Sequence, residues 1–258
     1  MATPSINVSE TPLVLYTLRR ADDALILGHR LSEWCGHAPM LEEDMALANM
    51  ALDLLGQARE LYGYAAKVEG KDNDEDKLAY LRDVRQYRNI LLVEQPNGDF
   101  ARTMVRQFFY SVFADLYWRA MMGSKDATLA AIAAKSEKES AYHVRHSSEW
   151  IVRLGDGTEE SHARAQEAVE HLWAYTGEMF EADDAERGLI DAGIAVDPAT
   201  LKAQWLKTVS GVIAEATLTL PSNDWMQQGG RFGHHSEHLG HLLSELQSLQ
   251  RSFPGATW

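Results

Sequence analysis

The residues of this chain best suited to chemistry are acids and histidines set at helical spacing. KESAYHVR carries Glu139 and His143 four residues apart, and RRADDA carries the adjacent acids Asp22 and Asp23. Asp115 and Glu33 are further acids within stretches of helical pattern. Side chains three or four residues apart share one face of a helix. A carboxylate and an imidazole so placed converge on one divalent metal, and two such sets hold a pair of irons. GHHSEHLGH, Gly233–His241, adds four histidines and Glu237, with His234/His238 and His238/His241 at spacings of four and three. No other metal-ligating residue is pinned beside that segment by sequence, and Ser236 is expected there as a helix N-cap.

Other chemistry finds less support. Cys35 lies between Trp34 and Gly36 with nothing local to lower its thiol pKa, so it is expected as a small packing residue. Gly229-Gly230-x-x-Gly233 with Arg231 suits an anion, but it follows no strand and is not the dinucleotide fingerprint. Neither a Walker-type loop nor a nucleophile elbow occurs. The seven tryptophans are expected mostly in the core, Trp118, Trp150, Trp173 and Trp205 among them.

Helices must hold these groups. From Leu13 to Gly36 apolar or small residues recur at Leu18, Ala21, Leu25, Gly28 and Cys35, with Pro12 as a starting signal and Gly36 as a stop. From Leu41 to Gly70 the stripe is Leu41, Met45, Ala48, Leu52, Leu55, Tyr62 and Ala66, and the short Gly36–Met40 turn makes the pair an antiparallel hairpin. A charged turn, Lys71–Asp76, leads into a mixed helical stretch to about Leu92, which EQPNGDF breaks. A third helix carries Val105, Phe109, Val112, Leu116 and Ala120. A fourth carries Leu129, Ile132, Ser136, Ser140, His143, Ser147, Trp150 and Leu154 and ends at Gly155. Further helices are expected over Glu159–Asp184, Ala199–Leu220 and Ser236–Arg251. No strand pattern occurs.

Two long hairpins joined by a long crossover make an all-α, ferritin-like four-helix bundle with additional C-terminal helices. We read residues 1–258 as a single domain, with the core bundle at about 13–155 and a helical extension at about 156–258. Such bundles hold two irons with a carboxylate from each of two helices and a Glu-x-x-His pair from each of the others. On the second helix, the strongest window for that pair places its two positions at Leu54 and Gln57. Mirroring about a turn centred near Ala38 puts Asp22 or Asp23 opposite. On the fourth helix the position three before His143 is Ser140, and mirroring about Lys125 reaches Ser111 on the third. Leu54, Gln57, Ser111 and Ser140 supply no carboxylate, so the site reads as vestigial and metal-free. Should metal be present, Glu33, Asp115, Glu139 and His143 are the remaining ligands. Otherwise such groups pair in or beside the core.

Composition sets outer limits. With 38 Asp+Glu against 24 Lys+Arg the formal charge is −14. That excess argues against nucleic acid or an anionic membrane as partner. One cysteine permits no internal disulfide, which points to a reducing, cytoplasmic setting. No apolar run is long enough to span a bilayer, and the start of the chain lacks a signal-peptide pattern.

The strings EWCGHAP (Glu33–Pro39), ALANMALDLLGQAR (Ala46–Arg59), LLVEQPNGDFA (Leu91–Ala101), GIAVDP (Gly193–Pro198) and HSEHLG (His235–Gly240) resemble those of the non-catalytic C subunits of ring-1,2-phenylacetyl-CoA epoxidases. These are multicomponent bacterial monooxygenases of aerobic phenylacetate degradation. The resemblance runs from about Leu15 to Trp258. It implies a structural, non-catalytic, ferritin-like subunit that binds no cofactor. It also implies a catalytic A subunit that holds the di-iron centre and binds the CoA ester, and a small bridging B subunit. A reductase with FAD and an iron–sulfur cluster would draw electrons from NADPH. The implied assembly is a hetero-oligomer, with a dimer of heterodimers as one form. No catalytic or cofactor-binding residue is carried over. The competing reading is a self-contained di-metal carboxylate oxidoreductase with an atypical ligand set; metal storage is disfavoured by the missing carboxylates.

Overall fold

Capping residues mark most of the long helices of the computed structural model, which describes residues 5–222 and 225–256. Helix α1 spans Pro12–Ser32, with Pro12 in its first turn and the Thr11 hydroxyl accepting from the Val14 N–H. Helix α2, Leu41–Glu69, opens with Glu42, Glu43 and Asp44 against the positive end of its dipole and closes on Gly70 in the left-handed conformation. The crossover carries α3 (Glu75–Tyr80), a 3-10 turn at Val84–Gln86 and α4 (Leu91–Glu94). Asp99 caps α5, Phe100–Met121, accepting from the Arg102 N–H at 2.9 Å. Asp126 caps α6, Ala127–Gly155, accepting from the Thr128 and Leu129 N–H groups at 3.0 Å. Then follow α7 (Glu159–Trp173), α8 (Asp184–Asp191), α9 (Lys202–Glu215), α10 (Glu237–Leu246) and α11 (Ser248–Ser252). Among the described residues there is no strand.

The bundle is the pair α1/α2 set beside the pair α5/α6, with α2 also touching α6; α7 and α9 pack on α5 and α6, and α4 and α8 cover α1. Helix α1 is buried on every side from Tyr16 to Gly28. The Tyr16 and Tyr117 hydroxyls join it to α5, and the Trp205 indole N–H donates to the Phe109 carbonyl at 2.9 Å to seat α9. This is the all-α, ferritin-like architecture with extra helices that the periodicity predicts.

Several boundaries differ, each for a tertiary reason. Helix α1 stops at Ser32, four residues before Gly36, and the chain continues in turns. The helix expected to Leu92 is broken because buried Arg82 takes the Leu78 and Gln86 carbonyls for its guanidinium. The helix expected to run to Asp184 stops at Trp173, whose ring stacks against Phe109 and Trp205. The chain then drops into a 3-10 turn, Gly177–Phe180, that buries Met179 and Phe180. The next expected helix ends at Glu215, not Leu220, and the last divides at Gln247, which donates to the Arg82 carbonyl at 3.0 Å.

The second helix departs most from expectation. Its buried face is Leu47, Met50, Ala51, Leu54, Ala58, Leu61 and Ala65. Three members of the expected stripe lie outside, Leu41 at 73% exposed, Met45 at 58% and Leu52 at 65%, while Tyr62 and Ala66 are buried as expected. Cys35, expected to pack, is exposed. Of the tryptophans, Trp118 and Trp205 are buried and Trp225 is exposed; Trp258 lies outside the described residues.

Where α6 ends it meets the chain after α9 so closely that a Cβ on Gly155 would stand 2.1 Å from the Ala216 carbonyl oxygen. Gly155→Ala is expected to destabilise the fold by about 1–3 kcal/mol, since backbone must move to admit one methyl group. Urea unfolding of the two proteins measures this.

Candidate functional site

Asp22 and Asp23 are fully buried on α1, and their acceptor oxygens are all committed. Asp22 accepts from both Arg82 guanidinium Nη atoms, from the Tyr62 hydroxyl and from the Arg88 backbone N–H at 2.7 Å. Asp23 accepts from Arg231 Nη1 and Nη2 at 2.9 and 2.8 Å and from the Ile90 N–H at 2.8 Å. Arg82 also stacks on Tyr87, 4.3 Å from the ring centroid. A buried carboxylate held by an arginine and by backbone donors is a structural anchor with no free oxygen left for metal.

The hairpin mirror also lies further along the chain than expected. A Cβ on Gly28 would stand 3.3 Å from the Leu54 Cβ, so Gly28, and neither aspartate, sits at the level of Leu54. Asp22 instead reaches Tyr62. The shift arises because residues 33–38 keep climbing in turns past the end of α1 before α2 begins. The first turns of α2 therefore extend past the end of α1, and Leu41, Met45 and Leu52 lie on the side of α2 turned away from its buried row.

The remaining candidates lie along the seam between α2 and α6. Gln57 donates to Glu139 at 2.9 Å, and His143 Nε2 stands 3.1 Å from Asp53 Oδ2. His146 pairs with Glu43 at 2.8 Å and Lys135 with Glu60 at 2.6 Å. Burial raises the Glu139 pKa, against the lowering effect of the Gln57 amide. Leu54 and Ser140 are buried, and Ser111 accepts from Gln107 at 3.0 Å. Glu33 is bound by Arg30 at 2.8 Å at the far end of α1, and Asp115 by Arg119 at 2.9 Å. Of the atypical set, only Glu139 and His143 face one seam. Among the described residues no group of three or more His, Cys, Asp or Glu is placed to hold a metal ion. Asp53 escapes a search of the sequence for Glu-x-x-His spacing, because it lies outside that pattern.

GHHSEHLGH has a different use. His235 Nδ1 donates to the Glu94 carboxylate at 2.8 Å and Nε2 to the Tyr87 carbonyl at 3.0 Å. Acceptors on both sides favour the doubly protonated ring. Its pKa is raised: burial opposes the charge, but Glu94 outweighs it. Ser236 occupies the N-cap position as expected, but it caps with no side-chain bond; its N–H donates to Glu94 at 2.7 Å.

The family comparison bears on this geometry. A family model described as phenylacetic acid catabolic protein matches residues 1–258. The chain belongs to this family. It is 51% identical over 246 residues to the C subunit of the 1,2-phenylacetyl-CoA epoxidase of Escherichia coli (strain K12), covering 95% of this chain and 99% of that protein. The resemblance carried by EWCGHAP and its companion strings is thereby borne out. Among the described residues no helix is long and apolar enough to cross a membrane.

Two outcomes follow from the buried charges. Asp22→Asn leaves Arg82 without its counter-charge in a dry site and is expected to cost about 3–5 kcal/mol; Asp22→Leu/Arg82→Met recovers part of that loss, read by urea unfolding. The His235 pKa is raised on folding, so its contribution is full below the ordinary histidine value near 6.5 and fades as pH rises through the elevated folded value. The stability difference between the native chain and His235→Gln should therefore shrink above neutral pH and stay constant in mild acid.

Proposed function

We propose that this chain is the non-catalytic, structural subunit of a cytoplasmic phenylacetyl-CoA epoxidase complex, acting as one domain that supports a related catalytic di-iron subunit. The small bridging subunit and a reductase with FAD, an iron–sulfur cluster and NADPH complete the assembly. The residues at the metal-ligand positions, Leu54, Gln57, Ser111, Ser140 and His143, are read as vestigial. This chain supplies no cofactor site: its polar groups along the α2/α6 seam satisfy one another in pairs.

One observation carries the positive part of this reading. Leu41, Met45 and Leu52 form an exposed apolar ridge along the outer side of α2, with Met40 at its end. Burying such a side chain is worth roughly 1.5–3 kcal/mol, so three of them in water are a substantial unmet driving force. A ridge on a 29-residue helix suits a second helical bundle.

The test is co-expression with the catalytic subunit. Leu52→Asp, at an exposed position, should leave thermal unfolding within a degree or two while reducing co-purification by about tenfold or more. Undiminished co-purification would remove the ridge from the interface. Near-stoichiometric iron in the purified chain, lost in His143→Ala, would overturn the non-catalytic reading itself.

A further inference from the structure

A pocket of about 160 Å³ opens between the start of α5 and α7, lined by Gly98, Asp99, Arg102, Arg164, Glu167 and His171. Arg102 lies across Gly98, whose added Cβ would stand 2.7 Å from Arg102 Cδ; Gly98 has φ +58, so the position resists a side chain on both counts. The Arg102 guanidinium makes no hydrogen bond or ion pair among the described residues, and its Nε is buried without an acceptor. That is unusual in a chain with 38 acids to 24 basic residues.

The nearby acids are occupied elsewhere. Asp99 caps α5 and faces Arg164 at 3.5 Å, and Glu160 takes Arg164 at 2.6 Å. Only Glu167 remains on the pocket wall. Behind the wall, fully buried Arg106 donates to the Gln95 carbonyl and the Asn97 side chain and has a further Nε without an acceptor. Burial, together with Arg30 and Arg102, lowers its pKa to about 9. The His171 pKa is lowered by burial and then by Arg102, with His238 adding to the effect and Glu167 opposing it. Arg102 is thus left without a hydrogen-bonded counter-ion among the described residues, beside a pocket whose wall also carries Glu167.

We propose that the Arg102–His171 pocket binds an oxyanion, a phosphate or carboxylate group, with Arg102 donating from its terminal nitrogens and His171 donating from its ring. At roughly 30 Å³ per water the space admits a phosphate group and a few waters. The fork of arginine donors matches the spacing of two oxyanion oxygens. This proposal does not depend on the proposed structural role, since the site lies wholly within this chain.

The experiment follows the His171 ring proton by NMR in the full chain, titrated with inorganic phosphate and, separately, with acetate at constant ionic strength. Millimolar phosphate is expected to raise the His171 pKa by about half a unit. Arg102→Gln should weaken phosphate binding about tenfold or more, Arg102→Lys should keep part of it, and Glu167→Gln should strengthen it. A response to phosphate alone identifies a phosphate-bearing small molecule; a response to acetate as well identifies a carboxylate-tolerant site. No response in the native chain at tens of millimolar phosphate, or equal binding by Arg102→Gln, would overturn the proposal.

Discussion

Two aspartates side by side on a helix buried from all directions set the terms for the molecule. Asp22 holds Arg82 from the crossover, and Asp23 holds Arg231 from the loop before α10. These partners come from segments far apart in sequence, and both acids also accept backbone N–H groups from residues 88 and 90. Burying charge is costly, and the cost is offset only when every oxygen and nitrogen finds a partner. The crossover and the C-terminal loop are therefore committed to one arrangement around α1. Arg19 adds a third tie, pairing with Glu186 at 2.8 Å to fasten α8.

The paired polar side chains fall into two systems. One surrounds α1 and organises connections. The other, along α2 and α6, consists of Glu43–His146, Asp53–His143, Gln57–Glu139 and Glu60–Lys135. At the level where facing carboxylates would be needed to grip metal, Leu54 lies against Gly28 with no room between them. The surfaces left incomplete are on the exterior, and they suit association better than catalysis.

Much of the fold was legible because local and tertiary signals agree in the four long helices. Thr11, Asp99 and Asp126 cap where capping residues belong, and Gly70 and Gly155 close helices where glycines do. The crossover was illegible because the side chain of Arg82 competes there for the carbonyls a helix would use. The α2 stripe misled for a different reason: apolar residues occupy both its inward and outward sides, and periodicity alone does not say which faces the core. The candidate site was partly legible. Gln57 and His143 do lie on one seam, but Asp22 and Asp23 were set at the wrong height because the segment after Ser32 climbs before it turns. His235 and Arg231 were noticed as motif members; their partners, Glu94 and Asp23, are set by tertiary structure alone.

A helix that is apolar on two sides has no unique orientation about its own axis. Rotating α2 by half a turn would exchange the Leu47–Leu54–Leu61 row for Leu41, Met45 and Leu52 at modest cost in buried hydrocarbon. The paired groups facing α6 remove that ambiguity, because any such rotation would strand Glu43, Asp53 and Gln57 against apolar neighbours while leaving His146, His143 and Glu139 without partners. Polarity along that seam thus fixes the helix in azimuth and determines which of its two apolar sides stays exposed.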